Sequence, residues 1–539
     1  MSDYAKYYKK NQTPQTEKAD DSQIPNNAGG FSFEISDWQR LRRFLILGSD
    51  NGTYYVDKIT LTRENAKCVE RCLEIDAHKT LDIIVEVSDS GKAVKNDIAL
   101  FALALAASSD NEETRSLALE KLPKIARIST HLFQFSHFVD SMRGWGPGLR
   151  KAIAKWYNEK DASHLAYQVA KYPQRKVEEK NGSSVWSHRD LLRKTHPKTE
   201  SSSHQVIYNH ITQGELEEYP SDLAIFEAKK EINKAENTRE IVKIIENYRN
   251  QNIKIPHEFL PKDHANSPKV WEALLPDIPL TALLRTLGRL SSYGIIGNGQ
   301  KSTDIVQNKL TDPKYVHQSR IHPLSVLIAL KTYNKGRGLR GNLEWNVSAA
   351  ISDMLDKLFY LTFDNVEPTN KRILYGIDIS GSMSMGMSGN MNLSCSEIAS
   401  VLAMASARTE RYYSIMGFDS EFRDLRISPN QSVSEVMNRT QSRTFGMTDC
   451  ALPMLWAQEN DLEYDAFVVL TDSETYYGNI HPHEALKKYR KNKVSNAKLA
   501  VVGMTASNVS IADPSDAGML DVVGASPDLP AILSDFISE

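Results

Sequence analysis

Apolar residues recur at helical spacing through the first two thirds of the chain. Between about Phe31 and Phe363, segments such as residues 98–107 and 280–290 carry apolar side chains on one face and are joined by short polar connections. Many consecutive helices of this kind are typical of helical-repeat proteins, although no fixed sequence period is visible. The pattern predicts an all-helical region over residues 31–365.

The pattern changes after about Asp364, where short apolar runs alternate with helical segments. The predicted strands cover residues 373–379, 412–418, 466–470 and 499–503, and the predicted helices cover residues 398–407, 451–457 and 484–489. Strands that alternate with helices are typical of a parallel, doubly wound α/β sheet. Functional side chains in such sheets gather beyond the carboxyl ends of the strands.

These changes divide the chain into three units. Residues 1–30 are polar and interrupted by Pro and Gly, which predicts a flexible N-terminal tail. The helical region covers residues 31–365, and the α/β domain covers residues 366–539. Residues 176–184 are predicted to form an exposed loop within the helical region.

Composition places the chain among ordinary globular proteins. Of its 539 residues, 41% are hydrophobic and 25% are charged, which excludes a wholly disordered or collagen-like chain. No apolar run is long enough to cross a bilayer, and the polar N-terminus does not resemble a secretory signal. The four cysteines have neither disulfide-framework nor metal-site spacing. We therefore expect a reduced, cytoplasmic protein.

Charge is distributed unevenly along the chain. Residues 121–200 hold 16 basic and 7 acidic residues, whereas residues 371–539 hold 14 basic and 21 acidic residues. The first stretch is therefore a candidate contact for a polyanion, and the second is not. Because a charge run on a helix is often only a solvated face, composition alone leaves both interpretations open.

Basic residues and one histidine are candidates for contacts with nucleic acid. Lys171 and Arg175 follow one another at helical spacing, and we expect both to contact phosphates. His188 opens a later helix and is expected to contact a phosphate or a base edge. Further candidates are Arg150 and Lys151, and the cluster Arg40, Arg42 and Arg43 beside Trp38.

A second group of candidates follows the predicted strands of the α/β domain. Asp378, Ser380 and Ser382 follow the first strand, where alternate positions of a loop can point the same way. Thr448 precedes a helix, and Asp472 ends a later strand. Two carboxylates and three hydroxyls are hard oxygen ligands that suit Mg²⁺. With only two carboxylates the ion keeps an open position, which an acidic side chain of a protein partner can fill.

Two other interpretations of these loop residues remain. They can cap helices and turns without holding an ion. Asp378 can also be a phosphoryl-accepting nucleophile, although the second general-acid carboxylate and the lysine that this chemistry uses are not evident in the sequence. We therefore expect a protein that is not an enzyme.

The Asp-x-Ser-x-Ser motif at residues 378–382, followed by Thr448 and Asp472, resembles the metal-ion-dependent adhesion site of von Willebrand factor A domains. All five positions of that motif are matched. The resemblance implies a bound divalent metal ion and a protein partner that supplies a carboxylate.

Further motifs are spread along the chain, such as Trp-Gln-Arg-Leu-Arg-Arg-Phe-Leu at 38–45, Trp-Ser-His at 186–188 and Arg-Ile-His-Pro at 320–323. Others lie at residues 52–55, 150–152, 156–158, 190–193, 279–285, 448–458 and 511–514. Together they resemble the Ro ribonucleoprotein autoantigen family. The resemblance implies an all-α ring of HEAT-like helical repeats, the TROVE module, followed by an α/β doubly wound von Willebrand factor A domain.

The same resemblance implies binding of RNA. Members of that family bind small noncoding Y-type RNAs on the basic outer face of the ring and take single-stranded ends of misfolded RNAs through its hole, in RNA quality control. Their Y-RNA contacts fall on Lys171, Arg175 and His188. The loop at 176–185 looks longer than the usual family connection, and Arg150 and Lys151 are candidates for the hole.

The competing hypothesis is a protein-interaction scaffold. The helical repeats and the metal site would then both bind proteins, and protein purified from cells would carry no nucleic acid. Under either hypothesis we expect a monomer.

Overall fold

The computed structural model describes most of the chain. It covers residues 12–47, 66–93, 95–179, 182–338, 342–363, 367–384, 393–441, 447–505, 507–524 and 526–539. The motif at 52–55 lies outside the described residues. Among the helices that are described, none combines the length and the apolar character needed to cross a membrane.

Helices dominate the chain up to residue 361, as the spacing of apolar residues predicts. They are α1 (Asp37–Leu47), α2 (Lys67–Ile75), α3 (Ala77–Asp89), α4 (Asn96–Ala107), α5 (Glu112–Ile125), α6 (Ser129–Met142), α7 (Pro147–Asn158), α8 (Ala162–Lys171), α9 (His188–Thr195), α10 (Ser202–Gln213), α11 (Ala224–Lys234), α12 (Thr238–Asn250), α13 (Pro268–Leu274), α14 (Leu280–Ser292), α15 (Thr303–Thr311), α16 (Pro313–Ser319), α17 (Pro323–Asn334) and α18 (Ala349–Leu361). Polar side chains mark where several of them begin. Asn111, Asp161 and Asn237 each accept a hydrogen bond from a backbone N–H of the following turn, at the start of α5, α8 and α12.

The row of helices closes on itself. Arg320, between α16 and α17, donates from Nη1 to Asp89 Oδ1 at the end of α3 over 2.8 Å. Gly91, two residues after α3, has a φ of +75°, and a Cβ at this position would lie 3.3 Å from the Cβ of Arg320. The last helices therefore meet the first, and the predicted helical ring is confirmed.

One segment of the ring differs from its prediction. Residues 176–184 were expected to form a loop, but residues 176–179 and 182–184 belong to the antiparallel strands β3 (Gln174–Glu179) and β4 (Gly182–Ser187). Gly182 begins β4 opposite Glu179, and Val177, Val185 and Trp186 occupy strand positions, which such residues favour. Residues that favour strands were therefore visible in the sequence, but the polar composition of the segment led to the prediction of a loop.

The C-terminal domain has the predicted α/β architecture. Its elements are β5 (Arg372–Asp378), α19 (Cys395–Ala407), β6 (Tyr412–Phe418), β7 (Phe422–Asp424), α20 (Val433–Gln441), α21 (Leu452–Glu459), β8 (Ala466–Thr471), α22 (Pro482–Asn492), β9 (Lys498–Gly503), β10 (Val509–Ser510), β11 (Met519–Val523) and α23 (Leu529–Ser538). The main sheet has the strand order β11-β9-β8-β5-β6-β7. Its strands pair in parallel except for the short edge strand β7, which pairs with β6 in the antiparallel sense. The doubly wound sheet is therefore confirmed.

The N-terminal residues that the structure describes are not a flexible tail. Two strands, β1 (Gln23–Pro25) and β2 (Phe31–Glu34), pair with each other, and β2 also pairs with β10 of the C-terminal domain. Gln15 is 0% exposed and Gln23 is 1% exposed. Over residues 12–30 the tail prediction is therefore wrong, because this polar segment is ordered by hydrogen bonds and not by apolar side chains.

Ion pairs join the ring to the C-terminal domain. Lys331 of α17 donates from Nζ to Glu397 Oε1 of α19 over 2.7 Å. Lys92, after α3, lies 2.7 Å from Asp528, which precedes α23. The two domains are thus held by charged contacts from α17 and from the residues that follow α3.

Candidate nucleic-acid interface and metal site

The two carboxylates of the candidate metal site lie at the ends of neighbouring parallel strands. β5 ends at Asp378, and β8 ends at Thr471, directly before Asp472. The two strands are hydrogen-bonded neighbours in the sheet. Thr471 Oγ1 donates to Asp378 Oδ2 over 2.6 Å, which orients the first carboxylate. The sheet thus brings both carboxylates to one edge.

The two serine hydroxyls lie next to Asp378. The Ser380 N–H donates to Asp378 Oδ1 over 2.9 Å, and Ser380 Oγ lies 3.1 Å from Ser382 Oγ. Asp378 is 0% exposed and Ser380 is 2% exposed. The structure therefore brings these three predicted residues into direct contact in a buried loop.

Thr448 reaches the same edge in a loop that precedes α21. Its carbonyl oxygen accepts hydrogen bonds from the N–H groups of Tyr476 and Tyr477, both over 3.1 Å. The N–H of Asp449 donates to the Asp419 carbonyl oxygen over 3.1 Å. These backbone hydrogen bonds tie the Thr448 loop to the loop that follows β8 and carries Asp472.

Burial and mutual repulsion oppose ionisation of the carboxylates at this edge. Burial, and after it the charge of Asp472, raise the pKa of Asp378 to about 7. The same two causes raise the pKa of Glu474 to about 7. A bound cation would offset this repulsion and favour the ionised carboxylates.

The residues at this edge fit a hard divalent cation. Every candidate ligand is an oxygen, and octahedral oxygen coordination suits Mg²⁺. The Ser473 hydroxyl, beside Asp472, is buried and makes no hydrogen bond to any residue that the structure describes, so it can serve an ion or its water. Within the same described ranges, no cluster of three or more His, Cys, Asp or Glu side chains could hold a metal. The hydroxyls would therefore have to complete the coordination.

The second candidate site lies on the ring around α8, the hairpin and α9. We call it the basic surface, and it comprises Lys171, Arg175, Lys176, Arg189, Arg193 and Lys194. Lys171 and Arg175 are partly buried, and the other four residues are exposed. Arg150 and Lys151 are exposed on the first turn of α7, which packs against α9.

Lys171 ends α8 and is held by an acid and an aromatic ring. Its Nζ lies 3.4 Å from Glu258 Oε1 and 5.0 Å from the centre of the Tyr172 ring. Burial lowers the pKa of Lys171, but the charges of Tyr167 and Glu258 act against burial and the pKa is raised overall. The ammonium group therefore stays charged at neutral pH.

Arg175 does not lie on the helix that its spacing from Lys171 predicted. α8 ends at Lys171 because Pro173 cannot continue it, and Arg175 lies in β3. Its guanidinium donates to the Thr130 carbonyl oxygen over 3.0 Å and lies 3.5 Å from Asp97 Oδ2. The hairpin, and not a helix, therefore directs Arg175 to Asp97 and Thr130, whereas Lys171 faces Glu258.

His188 is a core residue in this structure. It is 2% exposed, and its Nδ1 lies 2.6 Å from the Tyr157 hydroxyl. Its ring meets Phe133 edge-on with ring centres 4.8 Å apart. Burial lowers the pKa of His188 to about 3, so the imidazole is neutral at physiological pH. The expectation that His188 itself contacts RNA does not agree with this placement, because the ring faces the core and anchors the first turn of α9.

An aromatic pair borders the basic surface and was not singled out from the sequence. Trp145 and Trp186 stack with ring centres 5.9 Å apart, and Lys194 Nζ lies 4.9 Å from the centre of the Trp145 ring. Trp186 and Lys194 also line an open cavity of about 510 Å³, together with Val185, which is 54% exposed. Trp186 is buried, so the partly exposed Trp145 ring and the adjacent Lys194 are the groups suited to an unpaired base. Trp145 and Trp186, two of the three tryptophans within residues 121–200, were the available signal.

Comparisons with known proteins place both halves of the chain in one family. A TROVE domain matches residues 24–335, and a Ro60 vWA domain matches residues 372–537. The RNA-binding protein RO60 of Deinococcus radiodurans is 37% identical over 527 residues, which cover 97% of each chain. The chain belongs to the Ro60 family.

Two further comparisons support the Ro60 assignment. The RNA-binding protein RO60 of Caenorhabditis elegans is 33% identical over 598 residues, 97% of this chain and 91% of that protein. The crystal structure of the Deinococcus radiodurans RO (RSR) protein matches with a TM-score of 0.69 at 36% identity, and covers 93% of this chain and 99% of that chain. The family resemblance in the sequence motifs is thereby confirmed.

The three arginines near the start of the TROVE domain do not form one RNA-binding cluster. Arg43 is 2% exposed, and its Nη2 donates to both carboxylate oxygens of Asp521 over 2.7 and 2.9 Å. Arg43 therefore joins the ring to β11 and cannot reach RNA from this position. Arg40 lies 2.6 Å from Glu34, and Arg42 lies 3.0 Å from Glu86 in an exposed ion pair.

The sequence analysis missed that the first described residues contact the candidate metal site of this Ro60-family chain. Gln15 Nε2 donates to Asp449 Oδ1 over 2.7 Å, next to Thr448. Gln15 precedes both family domains, because the TROVE match begins at residue 24. Polar composition was the only sequence signal in this segment, and it indicated disorder.

Proposed function

We propose that this Ro60-family chain is the RNA-binding protein of a ribonucleoprotein and that its basic surface holds the RNA. The observation that carries the proposal is the set of exposed cations on β3 and α9, Lys176, Arg189, Arg193 and Lys194, of which Lys194 lies 4.9 Å from the Trp145 ring of a stacked tryptophan pair. Phosphates supply most of the affinity of such surfaces, and aromatic groups can take unpaired bases. The relatives named above as RNA-binding proteins support the same function.

The residues of the basic surface would have different parts in binding. The exposed cations can meet phosphates without any change in the protein. Lys171 and Arg175 already face Glu258 and Asp97, so a phosphate would replace these carboxylates as their partner. His188 is a positioning residue, because its buried ring sets the orientation of α9, which carries three of the cations.

We further propose the class of RNA. Small noncoding Y-type RNAs would bind to the basic surface, and single-stranded ends of misfolded RNAs would enter the ring, with Arg150 and Lys151 as candidate contacts. This role belongs to RNA quality control in the cytoplasm and needs no catalysis by the protein. The buried thiols of Cys395 and Cys450 support a reducing compartment.

The edge of the α/β sheet is proposed to hold Mg²⁺. The hydroxyls of Ser380, Ser382 and Thr448 would bind the ion, and Asp378 and Asp472 would bind it directly or through water. A bound Mg²⁺ would supply an open coordination position for a carboxylate of a protein partner. Asp378 is oriented for this task by Thr471, whose hydroxyl donates to Oδ2.

Binding of RNA is tested by salt titration with a structured small RNA that carries a single-stranded tail. Wild-type protein should bind tightly with a steep dependence on salt. Lys171→Ala plus Arg175→Ala should lower the salt slope by roughly one unit for each lost phosphate contact. The matched control is Lys234→Ala plus Lys243→Ala, which removes the same charge from exposed positions of α11 and α12.

The outcomes separate the hypotheses. If the control pair changes the slope as much as Lys171→Ala plus Arg175→Ala, the RNA is not held at the basic surface. If the wild-type protein binds no RNA at low salt, the RNA-binding function fails and the protein-interaction scaffold becomes the better explanation.

A further inference from the structure

The first described residues of the chain contact the candidate metal site at the end of the sheet that carries Asp378, Ser380, Ser382, Thr448 and Asp472. We call this end of the sheet the metal-site edge. We call residues 12–34 the N-terminal segment. Gln15, which is 0% exposed, donates from Nε2 to Asp449 Oδ1 over 2.7 Å and to the Ile480 carbonyl oxygen over 2.8 Å. The Thr475 hydroxyl in turn donates to Gln15 Oε1. One buried amide thus links the Thr448 loop to the loop that follows Asp472.

A second set of contacts holds the Asp472 loop from its other side. Glu474 Oε2 accepts hydrogen bonds from the N–H groups of Asn27 and Ala28, over 2.6 and 3.2 Å. Glu474 Oε1 accepts a third from Asn27 Nδ2 over 2.8 Å. Asn26 Nδ2 donates to the Thr475 carbonyl oxygen over 2.7 Å. The carboxylate of Glu474 is therefore satisfied almost entirely by the N-terminal segment.

The fit between the segment and these loops leaves no spare room. A Cβ at Gly30 would overlap the Thr475 carbonyl oxygen, and a Cβ at Gly478 would overlap the Gln15 side-chain nitrogen. The backbone at Gly30 thus approaches the backbone of Thr475, and the backbone at Gly478 approaches the side chains of Gln15 and Asp449, more closely than a residue with a Cβ allows without a shift. The N-terminal segment is therefore closely packed against the loops of the candidate metal site.

The segment also connects the metal-site edge to the ring. It continues through β2, which pairs with β10, directly into α1. α1 carries Arg43, which is bound to Asp521 of β11. A shift of α1 relative to the C-terminal domain would therefore pull on the hydrogen bonds to Asp449 and Glu474.

We propose that the N-terminal segment is a positioning element of the metal site, in which Gln15 and Asn27 hold the loops of Thr448 and Asp472 at the spacing that the ion needs. The inference rests on the proposed Mg²⁺ site. Groups that orient metal ligands from behind typically change metal affinity by about 10–100-fold when they are lost. We therefore expect loss of these hydrogen bonds to weaken metal binding without weakening RNA binding.

The test uses the full-length protein and Mn²⁺ as the probe, with binding measured by calorimetry. Asn27→Asp replaces a donor by a carboxylate that faces Glu474, and it should weaken Mn²⁺ binding at least about tenfold. Asn27→Asp plus Glu474→Gln reverses the donor and the acceptor of the same hydrogen bond. In the Glu474→Gln background, Asn27→Asp should therefore cost less than about twofold in Mn²⁺ affinity, because the pair is again complementary.

Two controls separate this role from general damage. Lys18→Gln changes the charge of the segment by the same unit at an exposed position and should leave Mn²⁺ affinity unchanged. Amide hydrogen exchange without metal should become faster at residues 447–451 and 472–480 in Asn27→Asp and recover in the double variant. RNA affinity should stay at the wild-type value in both.

Mn²⁺ uptake tests the metal site and the positioning role of the N-terminal segment separately. Wild-type protein should take up Mn²⁺, and Ser380→Ala plus Ser382→Ala should abolish the uptake. No uptake by the wild-type protein would overturn the metal site itself. Uptake that is equal in the wild-type, Asn27→Asp and Lys18→Gln proteins would leave the metal site in place and overturn the positioning role of the segment.

Discussion

The metal-site edge and the basic surface hold their polar groups in opposite ways. At the metal-site edge, Asp378 and Asp472 are almost completely buried, and neighbouring backbone and hydroxyl groups orient them. On the basic surface most cations are exposed, and Lys171 and Arg175 face carboxylates that a ligand can replace. A buried polar group lowers the stability of the folded state unless all its hydrogen bonds are made, whereas an exposed charge without a partner has little effect on stability.

This difference suggests two modes of recognition in one chain. The loops at the metal-site edge are held by hydrogen bonds within the protein, which is the arrangement expected of a site for one small ligand of defined geometry. The basic surface is prepared for a large polyanion that can be read by charge and shape. Mutations should therefore have large, charge-specific effects in the buried contacts and small, salt-dependent effects on the surface.

The largest effect is expected for Arg43→Ala, because it leaves the Asp521 carboxylate buried without its partner. We expect the free energy of unfolding to fall by about 3–5 kcal/mol. The neighbouring Arg42 forms an exposed pair with Glu86, and Arg42→Ala should cost only about 0–1 kcal/mol. Urea unfolding of both variants measures the contrast. Equal effects of the two changes would contradict the division between buried and exposed charge.

The metal-site edge was predictable from the sequence because its chemistry is local. Asp378, Ser380 and Ser382 follow one strand at alternate positions, and a parallel sheet brings the ends of its strands to one edge. The spacing, together with the resemblance to the adhesion-site motif, thus identified Asp378, Ser380 and Ser382, which the structure places in contact. The ring was equally readable, since apolar periodicity determines which face of each helix is buried.

The errors have a different physical origin. Arg43 was interpreted from its basic and aromatic neighbours and His188 from the family resemblance, but burial depends on distant partners such as Asp521 and Tyr157. Residues 12–30 were interpreted as a tail because they lack apolar periodicity. Their order comes from hydrogen bonds to residues more than four hundred positions away, such as those between Gln15 and Asp449, which no local pattern reveals.

An intermediate effect is expected where the basic surface depends on a buried group. Burial lowers the pKa of His188 to about 3, so the unfolded state binds a proton here that the folded state does not. The folded protein should therefore lose stability as the pH falls from about 6.5 towards 3. His188→Gln should reduce that slope by about 1.4 kcal/mol per pH unit between about pH 6 and pH 4. Unfolding curves at several pH values give both slopes.

The matched control for this prediction keeps the imidazole. Tyr157→Phe removes the hydroxyl that lies beside His188 Nδ1 but leaves the ring buried, so it should keep the wild-type slope. A wild-type slope in His188→Gln would show that the acid sensitivity comes from the other histidines whose pKa burial lowers, such as His131 and His322.

The smallest effect is expected for Ser187→Ala, which removes the cap of α9 but no charge. Ser187 Oγ accepts from the Asp190 N–H, and the Asp190 carboxylate accepts from the Ser187 N–H. We expect a loss of about 1 kcal/mol in the free energy of unfolding and a modest loss of RNA affinity, because α9 carries Arg189, Arg193 and Lys194. The salt slope should not change, since no phosphate contact is lost. The control Ser201→Ala uncaps α10, so it should cost similar stability and leave RNA affinity unchanged. A lower salt slope in Ser187→Ala would contradict the prediction, because it would show that the cap determines how many cations of α9 contact phosphates.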